Sequence, residues 1–249
     1  MSFGVSIDEG KLEYEGSLSG FFAQPGNLFK RRYWRMLNDM FRFFSEAKTL
    51  LDDPSDNDIS LGDYLDREGY SESFINDHLL PMGAAIWSSS YDDMLTFPAA
   101  SFVRFFNNHA LLEAGARPAW RTVTGGSREY VSRILDDFRG LLRSSAHVDR
   151  VKRKGQNLVV ESNIGHDNFD AVVLACHADQ SLSILGEDAS IAERQILSKF
   201  RYKSNKGVLH RDSSLMPKRR SAWASWNFIS DGPVAFDSPV FVTYWMNRL

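Results

Sequence analysis

The pair Gly125-Gly126, followed directly by Ser127, is the feature around which the rest of the chain must arrange itself. Adjacent glycines let the backbone turn at positive φ, and a serine after them is suited to capping a helix, so turn and helix start form one device. A helix is predicted over Arg128–Arg143, because Tyr130, Val131, Ile134, Leu135, Phe138, Leu141 and Leu142 recur at three and four and make one apolar stripe. A strand over 119–124 leads into the turn. Behind the helix, Val148–Val151 and Leu158–Val160 flank Lys154-Gly155-Gln156-Asn157, and this composition predicts a β-hairpin over Val148–Ser162. Phe169–Cys176 is apolar without polar alternation, the pattern of a central strand buried on both faces of a parallel or mixed sheet.

Ahead of this stretch, Phe3–Ile7, a turn at Asp8-Glu9-Gly10 and Lys11–Tyr14 predict a second hairpin. Tyr33, Trp34, Leu37, Met40, Phe41, Phe44 and Ala47 define a long amphipathic helix from about Leu28 to Lys48. Its first turn carries Lys30, Arg31, Arg32 and Arg35, the wrong sign for the helix dipole. An anionic partner would offset that conflict; a solvated basic face is the alternative. A polar loop over 52–58 precedes a short helix opened by Ser60-Leu-Gly-Asp63 and ended by Gly69. Further helices follow over about 72–80 and from Pro98, where Phe102, Val103, Phe105, Phe106 and His109 serve either as core or as walls of an apolar pocket. The small residues of Pro81–Trp87 admit the same two readings: helix packing, or close approach to a ligand. After a linker over 113–118 and the central stretch, Ser190-Ile-Ala-Glu193 caps a helix to about Lys199. Three strands are then expected, over Lys203–Arg211, Ala222–Phe228 and Val240–Met246, with alternation placing Trp223, Ser225 and Asn227 on one face and Ala224, Trp226 and Phe228 on the other.

The 249 residues suit one large or two smaller domains, and 43% hydrophobic content suffices for packed cores. A net charge of −3 gives no general pull toward nucleic acid or anionic membrane. One cysteine excludes an internal disulfide framework and makes a reducing cytoplasm the default location. Nothing resembles a membrane span or a signal peptide.

Several chemistries drop out. Cys176 and His177 are neighbours on a predicted strand, so they point to opposite faces and cannot act together as nucleophile and base; Cys176 reads as a buried structural residue. The six histidines show no metal-ligand spacing, and no G-x-S-x-G elbow occurs. The basic runs Arg150–Lys154 and Lys218–Arg220 read as solvated surface without a nucleic-acid module around them.

The segments Met1–Gly4, Pro81–Ser88, Trp120–Val131, Asp170–Gln180, Leu215–Pro217, Trp223–Asn227 and Thr243–Asn247 together resemble the flavin-containing amine oxidoreductase superfamily, in particular its bacterial branch of NAD/FAD-binding oxidoreductases. The resemblance implies an α+β fold: a partial FAD-binding domain (β-hairpin plus central strand) over 119–185, with a helical substrate-domain part over 1–118 and a sheet part over 186–249. That superfamily opens with a G-x-G-x-x-G turn that receives the FAD pyrophosphate and closes with a second glycine-rich segment; the sequence contains neither, and the resemblance then implies an internal portion of a longer protein or a truncated gene product beginning at an internal methionine.

By resemblance, the main chain of Val148 meets the adenine of FAD, Ala175, Cys176 and His177 border the cofactor, and Lys206 or Asn205 falls near the position of a lysine beside the reactive flavin nitrogen. Trp223, Trp226, Asn227, Tyr244 and Trp245 are the substrate-side candidates. The implied function is oxidation of a C–H bond next to a heteroatom or unsaturation in a bulky, mainly apolar small molecule, with no metal, no nucleic acid and no integral membrane segment. A non-catalytic scaffold module derived from such an enzyme is the alternative, and an anionic surface bound by the basic helix from Lys30 to Phe44 is a third.

Overall fold

The computed structural model describes residues 2–52, 58–113, 121–202, 204–232 and 240–248. In chain order these form β1 (Phe3–Ile7), β2 (Leu12–Glu15), α1 (Arg31–Glu46), α2 (Leu61–Arg67), α3 (Glu72–Phe74), a π-helical turn (Ile75–Leu79), α4 (Leu80–Trp87), α5 (Tyr91–Leu95), α6 (Ala99–Asn108), α7 (Arg128–Asp137), β3 (Val148–Lys154), β4 (Asn157–Ser162), β5 (Gly165–Phe169), α8 (Ala178–Leu185), α9 (Ile191–Leu197), β6 (Trp226–Ile229) and β7 (Phe241–Tyr244). The fold is α+β. It divides into two compact units, residues 1–126 with 209–249, and residues 127–208. These structural boundaries stand beside the sequence expectation of domains at 1–118, 119–185 and 186–249.

The first unit carries a four-stranded sheet in the order β2-β1-β6-β7, mixed because β1 pairs parallel to β6 and antiparallel to β2. Val5, Ile7 and Phe228 turn into one core with Met36, Met40 and Phe43 of α1 and Phe102, Val103 and Phe106 of α6. The phenylalanines of α6 are therefore core: Phe102 and Phe106 stack at 4.2 Å and both are buried. The small residues of α4 serve packing as well, since a Cβ on Gly83 would stand 3.1 Å from Met94 Sδ and 3.2 Å from Phe102 Cε2.

Ser60 and Asp63 bond reciprocally at the start of α2, and Gly69 takes φ +64° after its end, as the sequence predicts. Gly4 lies where β1 passes closest to the chain before β6. A Cβ there would meet Ala222 O at 2.6 Å and Asn227 Oδ1 at 2.8 Å, so Gly4→Ala is expected to cost about 1–3 kcal/mol by overpacking, read as a lowered urea midpoint of tryptophan fluorescence.

In the second unit, β3, β4 and β5 form an antiparallel meander. The predicted hairpin is present, and β5 extends it with Gly-His-Asp-Asn-Phe, too polar to read as a strand from sequence. Gly125 and Gly126 take φ of +86° and +89°, as expected, but the Ser127 side chain caps nothing and α7 ends at Asp137 rather than Arg143. The central strand over Phe169–Cys176 is not formed: Phe169 ends β5 and residues 171–177 have no strand structure. A strand exists only against a hydrogen-bonded neighbour, and among the described residues none lies beside this segment. Lys203–Arg211 forms no strand for the same reason, with Lys203 outside the described residues; the leading strand at 119–124 is likewise not formed over 121–124, and its Ala119 and Trp120, with most of the loops at 52–58 and 113–118, lie outside the described residues.

Ser190 and Glu193 make the predicted capping box on α9. The Ser190 N–H and hydroxyl, with the Arg153 guanidinium at 2.7 Å, hold the Glu193 carboxyl down to about 2. A folded-state value below the unfolded one means that its contribution is present above the unfolded pKa and is lost as pH falls from about 4.5 toward 2. A carboxyl-detected NMR titration should place Glu193 well below the ordinary glutamate value, and Ser190→Ala should raise it. An ordinary glutamate midpoint would contradict the capping geometry.

Candidate functional site

The cofactor-side candidates lie in the second unit. Val148 opens β3, an edge strand of the meander, so one side of its main chain has no strand partner among the described residues. Its register breaks between Val148 and Arg150, a β-bulge that leaves Asp149 out of the ladder. Bulges of this kind re-aim backbone groups and occur next to ligand sites, and Val148 is the position for which main-chain contact is expected. Val148, Val172 and Leu174 all pack on the small core of Val151, Leu185 and Ala189, so the bulged strand and the apolar segment ending at Ala175 border one cluster.

Ala175, Cys176 and His177 are exposed. Cys176 is thus not the buried residue expected; its Sγ lies 3.2 Å from Ser181 Oγ. With no strand under it, nothing covers the thiol. His177 is the N-cap residue of α8: its backbone N–H donates to Gln180 Oε1 at 3.3 Å, while the Gln180 N–H donates to Asp179 Oδ1 at 2.8 Å. The imidazole stacks on Tyr202 at 4.6 Å and 7°, and the Tyr202 hydroxyl accepts the N–H of Ala178 at 3.0 Å. A histidine as helix cap has no simple sequence signal. Asn205 and Lys206 are exposed and outside any regular element.

The substrate-side candidates lie in the first unit. Trp226 and Tyr244 are direct partners across β6 and β7, their rings edge to face at 5.5 Å. Trp223 precedes β6; its indole N–H donates to Pro217 O at 2.7 Å, and its ring stands perpendicular to Trp245 at 5.4 Å. Arg220, exposed, lies over both indoles, at 4.1 Å from Trp223 and 4.9 Å from Trp245, a cation–π pair that sequence reading had left as surface charge.

Asn227 differs from the others. It is fully buried, its amide Oδ1 accepts the Ala224 N–H at 2.8 Å, and its Nδ2 donates to Ala224 O at 2.7 Å and Thr243 O at 3.1 Å. The side chain is spent on the turn that launches β6. Alternation does set Asn227 and Phe228 on opposite faces, with Phe228 in the core, but both faces are covered here.

Among the described residues no cluster of histidine, cysteine or carboxylate side chains is arranged to hold a metal ion, and no helix is long and apolar enough to cross a membrane. No protein-family model and no curated protein sequence matches the chain. Among solved structures it is similar to a conjugated linoleic acid (CLA)-producing fatty acid isomerase from P. acnes, at a TM-score of 0.52 and 14% identity over 80% of this chain and 45% of that one. It is also similar, at a TM-score of 0.47 and 18% identity over 79% of this chain and 45% of the other, to a protein assigned as a protoporphyrinogen oxidase from Exiguobacterium sp. 255-15. The first likeness shows the fold. The chain spans less than half the length of either protein.

Proposed function

We propose that these residues are part of an FAD-dependent oxidoreductase of the amine oxidase type, acting on a bulky, mainly apolar molecule. The observation that carries the reading is the fold likeness over 80% of the chain, which stands beside the sequence segments that resemble the flavin-containing superfamily. The neighbour is by name a fatty acid isomerase, which agrees with an apolar substrate. The residues fit the cofactor in part. An edge strand bulged at Val148 offers main-chain groups for an adenine, and Ala175–His177 end the apolar segment that packs on the same cluster. The stripe of α7, with Ile134 and Phe138 exposed, and the exposed Val173 are surfaces that an FAD-binding domain buries in its sheet and helix layers.

When bound, flavin supplies the redox step. The protein's own share is to hold the substrate C–H and exclude water, which falls to Trp223, Trp226, Tyr244 and Trp245; such a site demands no ionised catalyst beyond Lys206, with the neutral amide of Asn205 as the alternative at that position. Asn227 acts through the β6 turn as a positioning residue. The alternative, a scaffold module derived from such an enzyme, is favoured by the exposure of Asn205 and Lys206.

The 249 residues titrated with FAD are expected to show no submicromolar binding, since the sequence contains no G-x-G-x-x-G turn to receive a pyrophosphate. A longer chain that joins these residues to such a turn is expected to purify with a yellow chromophore. If that longer chain folds and stays colourless, the flavin reading is wrong and the scaffold reading takes its place.

A further inference from the structure

Within the first unit, a cleft of about 340 Å³ is lined by Ile7, Asp8, Lys11, Leu12, Lys30, Arg32, Tyr33, Asn76 and Asp77. We propose that it binds a small monocarboxylate with a short apolar body, at a place separate from the residues assigned to the oxidoreductase reaction and independent of flavin. Three cations, Lys11, Lys30 and Arg32, face two carboxylates, Asp8 and Asp77, which leaves an excess of one positive charge for the lining. A monoanion balances it; a dianion overshoots.

Two of the cations are held in place with a donor to spare. Arg32 gives Nε to Asp77 Oδ2 at 2.7 Å and Nη2 to Asp77 Oδ1 at 3.0 Å, a two-pronged grip that leaves Nη1 without a partner among the described residues. Lys30 Nζ donates to Lys11 O at 2.7 Å and Asn27 Oδ1 at 3.1 Å, so two of its three N–H groups fix it and the third is open. Asp77 itself is fixed from the other side, because its carbonyl accepts the buried Tyr14 hydroxyl at 2.8 Å. It sits in the π-helical turn, an irregularity frequent at functional sites. Side chains already immobilised lose little entropy when a ligand arrives, which is the condition for a small molecule to bind at all. Ile7, Leu12 and Tyr33 provide the apolar part of the lining, and the volume is at the lower end of that of small-molecule sites.

The full chain, ¹⁵N-labelled, is to be titrated with hexanoate, with 1-hexanol as the neutral isostere and hexylammonium as the opposite charge. Hexanoate is expected to shift the amides of residues 7–12, 30–33 and 76–77 saturably, with a Kd of about 1 mM, while the other two leave them unsaturated. Lys30→Gln, an exposed change, should weaken hexanoate about tenfold. Arg32→Lys, which keeps a charge on Asp77 but removes the spare fork donor, should weaken it as well. Equal shifts from hexanol, hexanoate shifts confined to other residues, or an unchanged Kd in a folded Lys30→Gln protein would each overturn the proposal.

Discussion

Glu13→Ala is expected to destabilise the first unit by about 3–5 kcal/mol, because this glutamate has no exposure and four donors depend on it. Its Oε1 accepts the Ser6 hydroxyl at 2.9 Å and the Lys218 N–H at 2.6 Å, and its Oε2 accepts the Arg219 N–H at 3.1 Å and Arg219 Nη1 at 2.8 Å. Arg219 is partly exposed and finds water when the carboxylate goes. The Ser6 hydroxyl and the main-chain N–H groups of 218 and 219 have less freedom to do so, and an unpaired buried donor costs its desolvation. Glu13 also joins segments about two hundred positions apart, so its loss frees a long stretch of chain. Residues 127–208 contain no tryptophan, so urea unfolding followed by tryptophan fluorescence isolates this effect. Lys11→Ala, which removes only an exposed pair with Asp8, should stay within about 0.5 kcal/mol. Similar midpoints for the two variants would mean that the carboxylate network carries no stability.

Phe43→Ala is expected to cost about 3–5 kcal/mol. Phe43 is fully buried on α1, with Phe74 at 5.5 Å, Tyr70 at 5.7 Å and Tyr64 at 6.4 Å, so its ring joins three helical segments in one aromatic cluster. Truncation removes the dispersion contacts and leaves a void that rigid rings cannot collapse to fill. Phe41 on the same helix is 45% exposed and tests the assignment: Phe41→Ala should cost no more than about 1 kcal/mol by the same fluorescence measurement. Equal losses at the two positions would place the core on the wrong face of α1.

How far such features were readable from sequence depends on what kind of signal each leaves. Periodicity located α1 to within three residues at its start, but its stripe marked the core face only in part: Tyr33, Leu37, Met40 and Ala47 are buried, whereas Trp34 and Phe41 are exposed and Met36 and Phe43, outside the predicted stripe, fill the core. The same signal found α7 but overran it, because a stripe records which side is apolar and not whether anything covers it; Ile134 and Leu141 lie exposed. An apolar run predicted a strand at 169–176, yet strand structure belongs to a pair of segments, and no neighbour is described beside this one. The side-chain cap at Ser60 and the capping box at Ser190 were legible since donor and acceptor lie three residues apart. The Asn227 clamp, the Glu13 network and the grip of Arg32 on Asp77 were not, because their partners are brought together only by the fold. The bulge at Val148 likewise leaves no trace in residue types.

One consequence of the sheet order concerns synthesis on the ribosome. Phe3 pairs with Trp226 in a parallel ladder, so β1 waits for a strand made more than two hundred residues later. Residues 127–208, whose meander closes locally, are complete in the meantime and are free to fold first. Until residue 229 has left the exit tunnel, β1 is without its β6 partner, and this nascent chain is a natural client for chaperones that hold unpaired strands.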